Sequence, residues 1–222
     1  MNTDTVPVIA IDGPSASGKG TVAQAVAKTL EFHFLDSGAL YRLVALAALR
    51  EGVGLDDAVK VAAVAARLPV RFDRGEIALG EERVTDAIRT EECSVAASRV
   101  AALASVREAL LGRQRAFRQP PGLVAEGRDM ASVVFPDAGL KVFLTAGVEI
   151  RAERRYKQLK EKGIAATLPS LLRDLRERDA RDASRSVAPL KQSPGALHLD
   201  TAAMSAVQAA ALIVGWYRGA NG

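Results

Sequence analysis

The chain has 222 residues, of which 49% are hydrophobic and 25% charged, and this composition excludes an intrinsically disordered protein. The length suffices for one globular domain with a full core. A formal net charge of +4 favours anionic partners, which could be a nucleotide, a nucleic acid or a membrane surface. Because Cys93 is the only cysteine, no intramolecular disulfide can form, and a reducing compartment is favoured.

No segment of the sequence is predicted to enter a membrane. Residues 1–7 lack the basic, apolar and small-residue order of a secretion signal. The apolar stretch at 202–217 falls short of the about 20 residues that a spanning helix needs. We therefore expect a soluble, cytoplasmic protein.

Five short apolar runs, each bounded by charged, Gly or Pro residues, predict buried parallel strands. They are residues 8–12, 32–35, 123–126, 140–145 and 196–199. Helical patterns separate them; in 21–30, for example, Val22, Val26 and Leu30 recur every four residues. The predicted fold class is therefore α/β, a parallel five-stranded sheet with helices on both faces.

The interval between the second and third strands is too long for a simple connection and predicts an inserted lobe at about residues 55–105. Helical stretches start near Ala39 and Leu55. Strand-like pieces follow at 70–72, 76–79 and 83–85, with a hairpin signal at Gly80, so the lobe should contain a small antiparallel sheet. We expect the lobe to belong to a single domain that spans residues 1–222.

Residues 91–118 return to a helical pattern. Its positions expected to be buried are Val95, Val100, Leu103, Val106, Leu110 and Phe117. A second insert, at about residues 150–185, contains two charged helical patterns and is predicted to form a helical lid.

A phosphate-binding loop is predicted at residues 13–21, which read GPSASGKGT and contain the GxxxxGK pattern between a strand and a helix. Glycines let backbone amides face phosphate oxygens, the helix N-terminus adds positive charge, and the lysine reaches the β- and γ-phosphates. The alternative is a plain Gly-rich turn with an exposed lysine. The residues assigned to ATP binding are Gly13, Pro14, Ser15, Ala16, Ser17, Gly18, Lys19, Gly20 and Thr21.

The residue after Lys19 departs from the general pattern, because Gly20 precedes Thr21 where Ser or Thr usually follows the lysine directly. GKGT is similar to nucleoside monophosphate kinases. The ligands of a Mg²⁺ ion on the ATP phosphates stay open, with Thr21 and Glu126 as the nearest candidates. Ras-type GTPases are excluded, because their NKxD motif needs an asparagine and this chain has only Asn2 and Asn221.

Two further segments follow strand ends, where open α/β sheets bind ligands. In DSGALYR, residues 36–42, Ser37 can donate one hydrogen bond and Arg42 can grip two phosphate oxygens. In AEGRD, residues 125–129, Glu126 ends a predicted strand, where P-loop enzymes often place a carboxylate near magnesium. Arg128 then points to the same cleft. The alternatives are a helix N-cap with a solvated Arg42 and an ordinary polar turn.

The predicted lid helix carries a cluster of charged side chains on one face. Arg178, Arg181, Asp182 and Arg185 are spaced 0, 3, 4 and 7, within a roughly 100° arc. Guanidinium groups so close together repel, which favours an anion bound between them. The alternative is a solvated face with the ion pairs Asp174 to Arg178 and Glu177 to Arg181. On the preceding helix, the pattern is repeated by Arg151, Arg154 and Arg155.

The motifs GPSASGKGT, DSGALYR, EGRDM and RERDARDASRSVAPL, in this order and spacing, resemble the bacterial type of cytidylate kinase over nearly the whole chain. The resemblance implies ATP-dependent phosphorylation of CMP and dCMP to CDP and dCDP in pyrimidine nucleotide metabolism, with Mg²⁺. It implies that Arg42 and Arg128 hold the acceptor phosphate, with Ser37 nearby. By the same resemblance, cytosine is read by Ser98, Arg107 and Asp129, and the sugar is held by Arg178 and Asp182.

Cytosine chemistry agrees with these assignments, since its exocyclic amine donates to carboxylate or hydroxyl and its N3 and O2 accept from arginine. Uracil reverses this pattern at two positions, so a buried site built for cytosine rejects it. Ser98 and Arg107 also lie in a helical region where a packing serine and a surface arginine are common. The family often breaks that helix with proline, whereas Ala104 and Ser105 stand here.

A phosphate acceptor is already ionised near neutral pH, so no general base is needed. The two histidines, His33 and His198, lie in strand segments and are expected to be structural. Stabilisation of the transferred phosphoryl group is assigned to Lys19, Arg154, Arg181 and Arg185.

Two other functions remain open at this point. One is a P-loop kinase for UMP, AMP or a hydroxyl acceptor. The other is a nucleotide-switched nucleic-acid-binding module, which the basic composition suggests but the low aromatic content of 5%, with no aromatic among the arginines at 173–185, disfavours. We expect a monomer that binds neither nucleic acid nor membrane.

Overall fold

A computed structural model describes residues 6–73, 76–161 and 163–221. Its strands are β1 (Val8–Asp12), β2 (His33–Asp36), β3 (Val70–Asp73), β4 (Glu76–Leu79), β5 (Glu82–Arg83), β6 (Leu123–Gly127), β7 (Leu140–Thr145) and β8 (Leu197–Asp200). Its helices are α1 (Lys19–Leu30), α2 (Ser37–Arg50), α3 (Ala58–Ala66), α4 (Glu91–Val100), α5 (Ala104–Arg115), α6 (Val148–Glu161), α7 (Leu168–Ser184) and α8 (Ala206–Asn221).

The five predicted apolar runs all become strands of one sheet, in the order β2-β6-β1-β7-β8. β1 pairs in parallel with β6 and β7, and β7 pairs in parallel with β8. Every residue of β1 and β6 is buried, which requires cover on both faces of the sheet centre. The predicted α/β class with a parallel five-stranded core is confirmed.

The chain forms two compact units, one made of Met1–Leu35 with Phe117–Gly222 and the other of Asp36–Ala116. In the first unit, the apolar faces of α1 and α8 pack on the sheet around Ile9, Leu144 and Ile213. Burying these side chains stabilises the unit by about 25 cal/mol per Å² of apolar surface. Within the described residues, every helix is too short or too polar to cross a membrane.

The second unit contains α2 to α5 and the antiparallel sheet β3-β4-β5. The predicted hairpin signal is confirmed, since Leu79 pairs with Glu82 and Gly80 turns the chain with φ of 62°. β5 lies at Glu82–Arg83, slightly before the predicted strand at 83–85. Helix α2 begins after Asp36, whose Oδ1 accepts a hydrogen bond from Ala39 N at 2.9 Å.

The helical region 91–118 differs from the prediction, because the structure divides it into α4 and α5. Leu103 adopts an extended conformation, with φ of −80° and ψ of 117°. The freed carbonyl of Ala101 accepts from Arg107 Nη1 at 3.1 Å, which satisfies the helix end. The chain thus breaks the helix without proline.

Val95 was expected to be buried, and this prediction is wrong, since the side chain is exposed. Most of the buried residues of α4 form one stripe, Cys93, Ala96, Ala97 and Val100, and Ser98 is buried beside it. Val95 lies on the opposite side of this stripe, and the small alanines that face inward gave a weak hydrophobic signal.

Helices α6 and α7 confirm the two charged helical patterns of the first unit. They pack through a short buried seam made of Ala152, Leu159, Leu171 and Leu175. Helix α7 ends at Ser184, and Arg185 follows with an extended backbone, so it is not the helical residue that the spacing predicted.

Candidate active site

The phosphate loop joins β1 to α1 and depends on its glycines for close packing. A Cβ built on Gly13 would lie 2.0 Å from the backbone oxygen of Leu144, so no larger residue fits there. Gly18 caps α1 with φ of 90°. Ala16 also has a positive φ, 57°, and its side chain packs against the seam between α6 and α7.

Lys19 is buried at the start of α1 rather than exposed on a plain turn. Its Nζ lies 3.3 Å from Pro14 O and 3.6 Å from Glu126 Oε2. A Cβ on Gly20 would come within 3.3 Å of Glu126 Oε1, so the glycine after the lysine leaves room for this carboxylate. The loop and β6 therefore place an ammonium and a carboxylate side by side at the helix N-terminus, where phosphates bind.

Two arginines of α6 hold the backbone of the loop. Arg151 Nη1 donates to Ser15 O at 3.0 Å, and Arg154 Nη1 donates to Ser17 O at 3.2 Å. Arg154 also donates to Thr201 Oγ1 at 3.1 Å, and Thr201 Oγ1 bonds Ser17 O at 3.3 Å. These contacts engage the carbonyls of Ser15 and Ser17 with protein donors, so the loop amides are left to face a phosphate.

A buried carboxylate, Asp182 of α7, is shared by two arginines. Arg128 Nε donates to Asp182 Oδ2 at 2.8 Å, and Arg185 donates to Asp182 Oδ1. Burial would raise the pKa of Asp182, but Arg128, Arg185 and Arg178 outweigh it and lower the pKa below its usual value. Burial likewise opposes the charge of Arg128, and Asp182, Glu126 and Asp12 outweigh it, so its pKa is raised. Asp182 and Arg128 are therefore both charged at neutral pH.

The turn after β6, which carries Arg128 and Asp129, is held by Asp12 at the end of β1. The Asp12 carboxylate accepts hydrogen bonds from Met130 N and Ala131 N, both at 2.8 Å. Burial raises the pKa of Asp12 to about 6, although the two backbone hydrogen bonds oppose the shift. Asp129 itself is buried as well.

The remaining predicted lid residues differ in exposure. Arg178 is half-buried and close enough to Asp182 to lower its pKa. Arg181 is exposed, and its Nη1 lies 3.8 Å from Glu177 Oε2, the pair expected for a solvated face. The four-residue cluster predicted from the spacing is therefore divided, with Arg181 pointing away from buried Asp182.

In the second unit, Ser37 is buried at the start of α2, and Arg42 lies one turn later. Arg42 Nη2 pairs with Asp36 Oδ2 at 2.7 Å, so Arg42 is not the solvated arginine of the alternative interpretation. A Cβ on Gly38 would lie 3.1 Å from both Arg42 Nη1 and Asp36 Oδ1, and the glycine therefore leaves space for this pair.

Ser98 and Arg107 are both buried in the second unit. The Arg107 guanidinium lies over the Tyr41 ring, 5.5 Å from its centroid, and donates to Ala101 O at the end of α4. Ala101 is one turn beyond Ser98, so the arginine and the serine belong to the same end of α4. Ser98 Oγ finds no hydrogen-bond partner among the described residues.

Comparison with known proteins identifies the family. The family model described as cytidylate kinase matches residues 9–218. The chain belongs to the cytidylate kinase family. A cytidylate kinase from Polynucleobacter asymbioticus is 57% identical over 215 residues, 97% of this chain and 98% of the relative. Cytidylate kinases from Bordetella bronchiseptica and Bordetella pertussis are 58% and 61% identical, over 96% and 91% of this chain and 95% and 91% of their own lengths.

Membership of the cytidylate kinase family makes the chain a phosphotransferase and confirms the resemblance drawn from the motifs. In the first unit the structure brings together Lys19 and Glu126 at the loop, with Arg154 on its backbone, and separately Arg128, Asp182 and Arg185. In the second unit it pairs Arg42 with Asp36.

Three residues of the first unit were missed by the sequence prediction: Asp12, Thr201 and Asp179. Asp12 had a signal, because a carboxylate that closes an apolar strand next to a phosphate loop must be satisfied inside the protein. Thr201 had only its position after the last strand. Asp179, which pairs with Arg151 Nη2 at 2.6 Å, looked like any other charge on α7.

Proposed function

We propose that the chain transfers the γ-phosphoryl group of ATP to CMP and dCMP, giving ADP with CDP or dCDP. Lys19 carries this proposal, because its ammonium is buried at the N-terminus of α1 inside a loop whose carbonyls are fastened by α6. Such a cation stabilises the negative charge that spreads over the oxygens of the transferred phosphoryl group in the transition state.

The transferred group is stabilised by Lys19 together with Arg154, Arg181 and Arg185. Arg154 already lies on the loop backbone, and Arg185 is held by Asp182. Arg181 is exposed, so it has to turn from Glu177 to take part. No residue is needed as a general base, since the acceptor phosphate attacks as an anion.

The acceptor nucleotide is held through its phosphate by Arg42 and Arg128, with Ser37 nearby, and through its sugar by Arg178 and Asp182. A bidentate guanidinium suits a phosphate monoester. Asp182 keeps an ionised carboxylate at neutral pH, which suits acceptance from sugar hydroxyls.

Cytosine is read by Ser98, Arg107 and Asp129. The buried hydroxyl of Ser98 supports this, because an unsatisfied buried polar group is costly unless a ligand meets it. Arg107 is fixed by Tyr41 and Ala101, which preorganises its guanidinium for a ligand. UMP, AMP and hydroxyl acceptors are therefore poorer substrates.

Mg²⁺ fits this site as an ion carried mainly by ATP phosphates and water. Among the described residues no group of three or more His, Cys, Asp or Glu side chains could hold a metal. Magnesium needs only one or two carboxylates besides phosphates, and Glu126, 3.6 Å from Lys19 Nζ, supplies one. Thr21 of α1 is the second candidate ligand. When bound, the ion neutralises phosphate charge.

Residues of about 55–105 serve as the acceptor-binding lobe, and those of about 150–185 serve as the lid, within a single domain. We place the enzyme in the cytoplasm, as a monomer in pyrimidine nucleotide metabolism that binds neither nucleic acid nor membrane. The single cysteine supports a reducing compartment, and the absence of aromatics among the arginines at 173–185 argues against nucleic-acid binding.

Lys19→Ala tests the proposed role of the loop. We expect CMP-dependent ADP release to fall by roughly a thousandfold or more, because a preorganised cation at the transferred phosphates is lost. Circular dichroism should report an unchanged fold. Lys28→Ala is the matched control, since Lys28 is exposed on the same helix and should keep the wild-type rate. A wild-type rate in Lys19→Ala would refute the assignment.

A further inference from the structure

Arg151 of α6 makes contacts beyond the one that holds the phosphate loop. Its guanidinium reaches three separate segments of the first unit. Nε donates to Ala146 O at 2.9 Å, and Nη1 donates to Ser15 O of the phosphate loop at 3.0 Å. Nη1 and Nη2 also donate to the two carboxylate oxygens of Asp179 on α7, at 3.2 and 2.6 Å.

This arrangement is a buried, forked ion pair and not an anion site. The Arg151 side chain is only 6% exposed, and each of its three nitrogens already has a protein acceptor. A planar guanidinium can donate to Ala146 O, Ser15 O and the Asp179 carboxylate at once, whereas a lysine ammonium cannot. Phosphate contact is therefore not the role that the geometry of Arg151 favours.

Asp179 lies beside Arg178 and three residues before Asp182 on the same helix. Its position therefore fixes the rotation of α7 and the direction of both neighbours. The apolar seam between α6 and α7 is short, and Ala16 of the loop packs against it. Such a seam resists sliding weakly, so a directional polar contact is needed to hold the register.

We propose that Arg151 is a positioning residue that clasps Asp179 of the lid helix to Ser15 of the phosphate loop, so that nucleotide on the loop and the placement of α7 are coupled. Linkage then requires that nucleotide stabilise the placed helix as much as the placed helix favours nucleotide. A correctly placed helix also keeps water from the γ-phosphate.

The test uses Asp179→Asn, Arg151→Lys and the double variant. Glu149→Gln is the matched control, because it breaks another ion pair between the same helices. There Arg176 Nη2 lies 3.0 Å from Glu149 Oε1, but the two side chains are 64% and 63% exposed. An exposed pair contributes little, so this variant should behave as the wild type.

The first readout rests on the proposed transfer to CMP. Each single variant should lose roughly tenfold in kcat/KM, and the double variant should lose no more than Arg151→Lys alone, because both substitutions break the same ion pair. ATP hydrolysis without CMP should rise relative to transfer. Losses that multiply in the double variant would mean that Arg151 and Asp179 act independently, and would overturn the proposed coupling. If Tm fell while kcat/KM and the ratio of ATP hydrolysis to transfer stayed unchanged, the contact would be merely structural.

The second readout does not depend on CMP turnover. Hydrogen exchange is followed in peptides of the loop and of α7, with and without ADP. In the wild type ADP should slow exchange in both segments, and in Asp179→Asn it should protect only the loop. Equal protection of α7 by ADP in both proteins would overturn the proposed coupling through Arg151 and Asp179. A wild type that binds ADP but does not phosphorylate CMP would contradict the proposed function. The hydrogen-exchange comparison would still test the contact between Arg151 and Asp179.

Discussion

Asp12 illustrates what one residue contributes to the site. It ends a fully buried strand, yet its carboxylate is satisfied by the amides of Met130 and Ala131. Since Gly13 follows it directly, the same residue connects the start of the phosphate loop to the turn that carries Arg128 and Asp129. The buried position raises its pKa to about 6, above the ordinary value of 3.8.

A pH dependence of stability follows for Asp12→Asn. Between pH 4 and 6, roughly, the folded chain binds more protons at Asp12 than the unfolded chain, so the stability from this group falls as pH rises. Asparagine does not titrate. The unfolding free energy of the wild type relative to the variant should therefore fall by up to roughly 3 kcal/mol across this range and then stay constant.

Urea unfolding of both proteins at a series of pH values measures this difference. A difference that grows with pH would show that the hydrogen bonds and Arg128 outweigh burial, and that the pKa of Asp12 is depressed.

At the scale of elements, the break between α4 and α5 decides where Arg107 points. Residues 91–118 were predicted to be helical from the pattern of their apolar positions. Tertiary contacts override this local preference. Ser105 Oγ donates to Ala58 O at 3.0 Å, and Arg107 closes the end of α4 through Ala101.

Ala104→Pro should therefore be tolerated, although proline inside a helix is normally disruptive. Ala104 is the first residue of α5, and Leu103 before it is already extended, as a residue preceding proline prefers. We expect a gain of roughly 0.5 kcal/mol in unfolding free energy, because the unfolded chain loses freedom.

Thermal and urea unfolding check this expectation, with Ala109→Pro as the control. Ala109 lies inside α5, where proline should cost about 3 kcal/mol or more. If Ala104→Pro lost more than about 1 kcal/mol, the break would not lie where the structure places it.

Strands and loop were predictable because their signals are local. An apolar run that ends in a glycine-rich turn is informative by itself, and the phosphate loop lies where it was predicted. The burial of Val95 was mispredicted because alanines, not large apolar residues, form the inner stripe of α4. Lid contacts such as Arg151 to Asp179 join residues 28 positions apart, and no local pattern distinguishes them from other charges.

For the whole molecule, family membership and geometry support different parts of the account. The family fixes the class of reaction, and its model spans residues 9–218. Geometry supports the roles of individual residues, which the sequence could only suggest. The net charge of +4 agrees with an anionic substrate but selects none.

The central claim is phosphoryl transfer from ATP to CMP, and the most direct test is kcat/KM for ADP release across CMP, dCMP, UMP and AMP. We expect CMP and dCMP to exceed UMP by roughly a hundredfold or more, because uracil leaves buried donors and acceptors unpaired. A value for UMP or AMP equal to or above that for CMP would contradict the account.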